Sequence, residues 1–139
     1  MKIYPINFIN KFSYPNGNLK YINMVEICQG GPEIGNLEIN GEVLFPKYQF
    51  GGPAIIDGYY LYIPKVKRSI LKGTGFILVS INLKNRQELE LTKKYDLILL
   101  KEKKDNKLIW FSDLENKNRI NTELDDSCNQ LSAPLQADT

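Results

Sequence analysis

The sequence predicts an all-β protein built from antiparallel sheets, and three observations carry that expectation. Two glycine-containing dipeptides, Asn40-Gly41 and Asp57-Gly58, each sit between apolar runs, the pattern of a tight hairpin turn that needs positive φ. Apolar and polar residues alternate with period two through much of the chain, as in half-buried strands. A helical period is almost absent. Only "NRQELELTKKYDLILLKEKK" has a helix-like composition, and there the Leu89/Leu91 alternation and the Leu97–Leu100 block fit strands better.

Taken in order, "YINMVEIC" (Tyr21–Cys28) is a first strand-like stretch. "GNLEINGEVLF" (Gly35–Phe45) follows, with Leu37 and Ile39 before the turn, Val43 and Phe45 after it, and Glu38 and Glu42 interleaved. "GGPAIIDGYYLYIPKVK" (Gly51–Lys67) is a second hairpin, in which Tyr60 and Tyr62 share one strand face and Tyr59, Leu61 and Ile63 the other. "GFILVSINL" (Gly75–Leu83) and "QELELTKK" (Gln87–Lys94) read as two strands joined at Lys84–Gln87. "DLILLKEKKDNKLIWFSD" (Asp96–Asp113) reads as two apolar runs around a charged turn at Lys103–Asn106, with Trp110 suited to a core.

The units recur. The hairpins opening at Pro53 and Asp96 are 43 residues apart, and the strands opening at Gly35 and Gly75 are 40 apart. Four strands per ~40–45 residues is the period of a β-propeller blade. In period and strand order, Tyr48–Asp113 resembles a β-propeller, without the Gly-His or Trp-Asp signature of WD repeats. Four blades need about 170 residues, whereas the chain has 139. The expected fold is therefore an open or partial β-propeller-like arrangement, with a β-sandwich as the alternative and association of copies as a way to complete a ring. An open stack leaves a terminal sheet face or edge strand that must be protected or used. One all-β domain is expected over residues 1–126, followed by a flexible tail, "SCNQLSAPLQADT", over 127–139.

Composition narrows the function. The chain contains no histidine, which removes Ser-His-Asp and Cys-His catalysis and His-ligated metal sites. Glu26, Glu33 and Asp57 beside glycine-rich turns are the remaining acid–base candidates, and turn building or solvation explains them better. "CQGGPEIGN" lacks the Gly-Lys-Ser/Thr ending of a phosphate loop. Its Gly-Gly-Pro recurs at Gly51–Pro53, and both copies read as bends between repeat units. Cys28 and Cys128 have no metal-ligand spacing and are expected reduced. No enzyme, metal or cofactor is expected. Without a signal peptide or a membrane-length apolar run, the chain is expected to be cytoplasmic, with no membrane partner.

Net charge is +2, unevenly spread. Residues 46–74 carry Lys47, Lys65, Lys67, Arg68 and Lys72 against Asp57, whereas 113–126 carry Asp113, Glu115, Glu123, Asp125 and Asp126 against Lys117 and Arg119. Either stretch could dock a partner. Basic residues beside tyrosines are ingredients of single-strand nucleic-acid binding, but the acidic third and the lack of a recognition motif argue against it. The candidate protein interface is Tyr60, Tyr62, Lys65, Lys67, Asp113 and Glu115. In size, Lys/Asn/Ile-rich composition and inferred architecture, the chain resembles immunity proteins of bacterial toxin–immunity and contact-dependent inhibition systems. That resemblance implies a non-catalytic module that occludes a cognate toxin, with a nuclease as one such target. The alternative is a small-ligand or carbohydrate-binding β module that uses Tyr60 and Tyr62 as a stacking platform.

Overall fold

The computed structural model describes residues 2–71 and 73–124. Among them there are eleven strands and no helix: β1 (Lys11–Tyr14), β2 (Gly17–Glu26), β3 (Glu33–Ile39), β4 (Glu42–Leu44), β5 (Ile55–Asp57), β6 (Tyr60–Ser69), β7 (Gly73–Asn82), β8 (Glu88–Glu90), β9 (Leu99–Lys104), β10 (Lys107–Phe111) and β11 (Arg119–Glu123). They form three antiparallel meanders, β1-β2-β3-β4, β5-β6-β7-β8 and β9-β10-β11, none of them closed. The sheets open at Lys11, Ile55 and Leu99, a spacing of 44 residues both times (11 to 55, 55 to 99). The all-β expectation holds. Lys72, Asp125, Asp126, Cys128 and the proposed tail at 127–139 lie outside the described residues.

The turns explain the pairing. Ile39 faces Glu42 across Asn40 and Gly41, whose φ values of 50° and 85° are both positive, as a type I′ turn requires. In the second hairpin Asp57 faces Tyr60, so the turn is Gly58-Tyr59 rather than Asp57-Gly58. Gly58 alone takes positive φ, 62°, the type II′ pattern. Two strands are additional to those read from sequence. β1 is short and half exposed, and β11 alternates Ile120 and Thr122 with exposed polar residues inside the acidic stretch.

The middle sheet is covered on both faces. Leu61 and Ile63 of β6, with Ile77, Val79 and Ile81 of β7, pack against Leu19, Tyr21, Leu37 and Ile39 of the first sheet. The alternate residues Tyr62, Val66, Phe76 and Leu78 pack against Leu99, Leu100, Leu108 and Trp110 of the third. Two-sided burial is why β6 and β7 read as nearly continuous apolar runs. Trp110 is fully buried, its indole N–H donating to Thr122 Oγ1 at 2.9 Å, with the Tyr95 ring edge-on at 4.8 Å.

Two crossings tie the sheets together. Phe50 exchanges backbone hydrogen bonds with Gly35 and also bridges to Lys65, joining β3 to β6. Tyr95 exchanges bonds with Phe76 on the far side of the middle sheet. Beside it, a Cβ at Gly75 would stand 2.6 Å from the Tyr95 carbonyl oxygen, so only glycine fits. The two Gly-Gly-Pro copies are not equivalent. Gly51–Pro53 lies between the first and second sheets, whereas Gly30–Pro32 lies within the first, between β2 and β3.

The outward faces of the stack are mostly polar, with Val43 exposed beside Glu38 on the first sheet. On the first sheet Lys11, Lys20 and Glu38 stand opposite one another, with Lys20 Nζ 3.4 Å from Glu38 Oε1. On the third, Lys104 and Glu123 flank Lys107, and Glu102 and Asn121 flank Ile109. The N-terminal segment straps the stack: the Ile3 N–H donates to Asn116 Oδ1 at 2.6 Å, and Pro5 O accepts from the Glu33 N–H at 2.9 Å. No helix among the described residues is long and apolar enough to cross a membrane.

A basic candidate binding cleft at Lys65

Past Ile63, β6 runs beyond the first core and meets the 47–49 segment that leads into the Phe50 crossing. Lys65 lies there, only 5% exposed. Burying an ammonium is costly unless it is paired, and two partners hold this one. Its Nζ is 2.9 Å from Glu88 Oε1 and 3.8 Å from the centre of the Tyr48 ring. Glu88 Oε2 is also buried but has no hydrogen-bond partner among the described residues. An unpaired buried carboxylate oxygen is an acceptor awaiting a donor.

A cleft of about 430 Å³ opens over this pair, lined also by Lys47, Lys67, Arg68 and Glu90. Lys47 and Lys67 are exposed, and Arg68 donates from Nη2 to Gln49 Oε1 at 2.9 Å. Cations outnumber carboxylates around its rim. Such a cleft attracts an acidic side chain or other anion, with the exposed edge of Tyr48 beside it as an aromatic contact.

The other residues singled out from sequence lie elsewhere. Tyr62 is 1% exposed, in the second core, its ring stacked 6.5 Å from that of Tyr60. Burial, then the negative charge of Asp57 and the neighbouring Tyr60, pushes its phenol up to about 12. Tyr60 packs partly buried against the same core, so the pair offers no open stacking platform. Both faces of β6 are core, which a single-strand reading of alternation could not reveal. Asp113 shapes the β10–β11 loop, its Oδ1 accepting from the Lys117 N–H at 2.9 Å and the Asn118 N–H at 2.8 Å. Glu115 is exposed and pairs with Lys117 at 3.0 Å. Neither lines the cleft. Cys28 is exposed.

The structure therefore gathers Lys65 and Lys67 into one site and leaves Asp113 and Glu115 in another loop. Tyr48 and Glu88 were not among the residues singled out. Tyr48 stands next to the basic stretch, but Glu88 lies 23 residues beyond Lys65 and meets it only through folding. No protein-family model matches the chain, and neither a curated protein nor a solved structure does.

Proposed function

We propose that this protein is a non-catalytic binding module, an open propeller-like stack of three sheets that docks a protein partner through the Lys65 cleft. The observation that carries the reading is the buried Lys65–Glu88 pair under Tyr48, a rigid polar floor beneath a rim of exposed cations. Preorganised cations of this kind steer and orient an acidic patch on a partner. The mode of action is occlusion in the manner of an immunity protein, in which covering the partner's working surface is sufficient. A basic nuclease would instead be met by the acidic loop at Asp113 and Glu115.

The test is affinity capture from the native cell followed by reconstitution with the purified partner. The wild-type chain is expected to retain one stoichiometric partner and to inhibit its activity. Lys47→Glu/Tyr48→Ala, at two exposed positions, is expected to lose both properties. If the double variant keeps every partner, the cleft is not the docking site.

A further inference from the structure

The longest hairpin ends in an aliphatic tip, Ile70 and Leu71, that does not line the cleft. β6 and β7 pair without a break from Tyr60↔Asn82 to Ser69↔Gly73. Their neighbours stop earlier: β5 reaches only Tyr62, β8 only Val79, and the two crossings end at Val66 and Phe76. The last two pairs, Arg68↔Thr74 and Ser69↔Gly73, form a two-stranded ribbon projecting about 7 Å at ~3.3 Å per residue. At its tip Ile70 is 102% exposed and Leu71 93% exposed. No other large hydrophobic residues are as open among the described residues.

Cations collect just behind that tip. Lys67 and Arg68 are exposed on successive residues, hence on opposite faces of the hairpin. Lys94 Nζ reaches the Gly73 carbonyl at 2.6 Å, and exposed Lys93 precedes it. The order along the projection is aliphatic tip, then basic collar. A bilayer rich in anionic lipid offers the matching order, hydrocarbon beneath a layer of negative headgroups. The tip is convex and aliphatic, whereas protein hot spots favour Trp, Tyr and Arg.

We infer that, contrary to the sequence expectation of no membrane partner, the β6–β7 tip is a membrane-contact element, which inserts Ile70 and Leu71 shallowly into anionic bilayers while the collar engages the headgroups. Lys67 and Arg68 of the collar also line the cleft whereas Ile70 and Leu71 do not, so the tip variant is the one that separates this inference from the docking role given to the cleft. Such contact is peripheral and reversible, because two aliphatic side chains anchor far less than a spanning segment.

The experiment is co-sedimentation of the full chain with vesicles of phosphatidylcholine alone, or of phosphatidylcholine containing phosphatidylglycerol. Binding is expected only to the second and should weaken as salt rises. Ile70→Ser/Leu71→Ser should weaken it about tenfold or more. Lys67→Glu/Arg68→Glu should weaken it by about 25-fold or more, at roughly fivefold per basic residue removed from the surface. All four positions lie outside both cores, so unchanged circular dichroism and thermal midpoint will show that the variants fold. In a Leu71→Trp variant the added emission should shift to the blue on anionic vesicles. Absence of sedimentation with phosphatidylglycerol, equal binding to both vesicles, or undiminished binding by the Ile70→Ser/Leu71→Ser variant each overturns the inference. So does a tip variant that keeps vesicle binding but loses a purified protein partner, because the tip would then fit a protein pocket.

Discussion

Lys65 shows how one residue can serve the fold and the candidate site together. Its ammonium is out of water, so removing its charge strands the carboxylate of Glu88. Lys65→Ala is expected to cost about 3 kcal/mol in urea denaturation. Lys65→Met/Glu88→Leu should recover most of that loss while abolishing the polar floor, which separates stability from binding. The buried tyrosines make a second prediction at this scale. Burial holds the Tyr21 phenol well above its ordinary value of 10.0, and Tyr62 is held at about 12. Both phenols stay neutral in the folded chain where the unfolded chain would release its protons. Their contribution is fully present below about pH 10 and is lost as pH rises through the folded values. Urea midpoints should therefore fall between about pH 9 and pH 11.5, with Tyr62 accounting for about 2 kcal/mol at pH 11.5. Tyr62→Phe should flatten that decline.

At the scale of elements, the close approach of β7 to the Tyr95 crossing makes Gly75 a sensitive position. Gly75→Ala would push a methyl against a backbone carbonyl that cannot rotate away, and a loss of about 2 kcal/mol in thermal or urea unfolding is expected. Amide exchange at Phe76 and Tyr95, which hold each other at 2.7 and 2.8 Å, should speed up first. Much of this level is legible in the chain. Asn40-Gly41, the Gly58 turn and the charged turn before Lys107 mark three hairpins, because positive φ and local alternation are properties of neighbouring residues. β11 is different: "RINTE" has one strongly apolar residue and hides in an acidic stretch, since an edge strand needs apolar residues on one face only. The role of Asp113 is equally obscure from sequence, because docking and loop-building carboxylates look alike until their backbone partners are known. The Lys65–Glu88–Tyr48 arrangement joins three elements, and nothing local in the sequence announces it.

For the whole molecule the decisive matter is how an open stack of three sheets ends. A ring of blades would require the first and third sheets to present apolar outer faces, as the middle sheet does on both sides. They present Lys11, Lys20 and Glu38 at one end, and Lys104, Lys107, Glu102 and Glu123 at the other. Burying those rows against a second copy would strip charged groups of water for little return. Within the stack the two cores join the sheets, and ion pairs lie along their edges: Arg86 with Glu42 between the second and first sheets, and Asp57 with Lys103 at 2.9 Å between the second and third. The chain is therefore expected to be a monomer of 16.0 kDa in sedimentation-velocity and light-scattering measurements, unchanged as concentration rises. Lys20→Leu/Glu38→Leu would convert the first sheet's outer row into an apolar stripe. That variant should self-associate, because an open sheet face without charge is a template for pairing. A wild-type dimer dissociated by salt would place an electrostatic contact between copies on these faces, and would mean that the polar ends join subunits rather than insulate them.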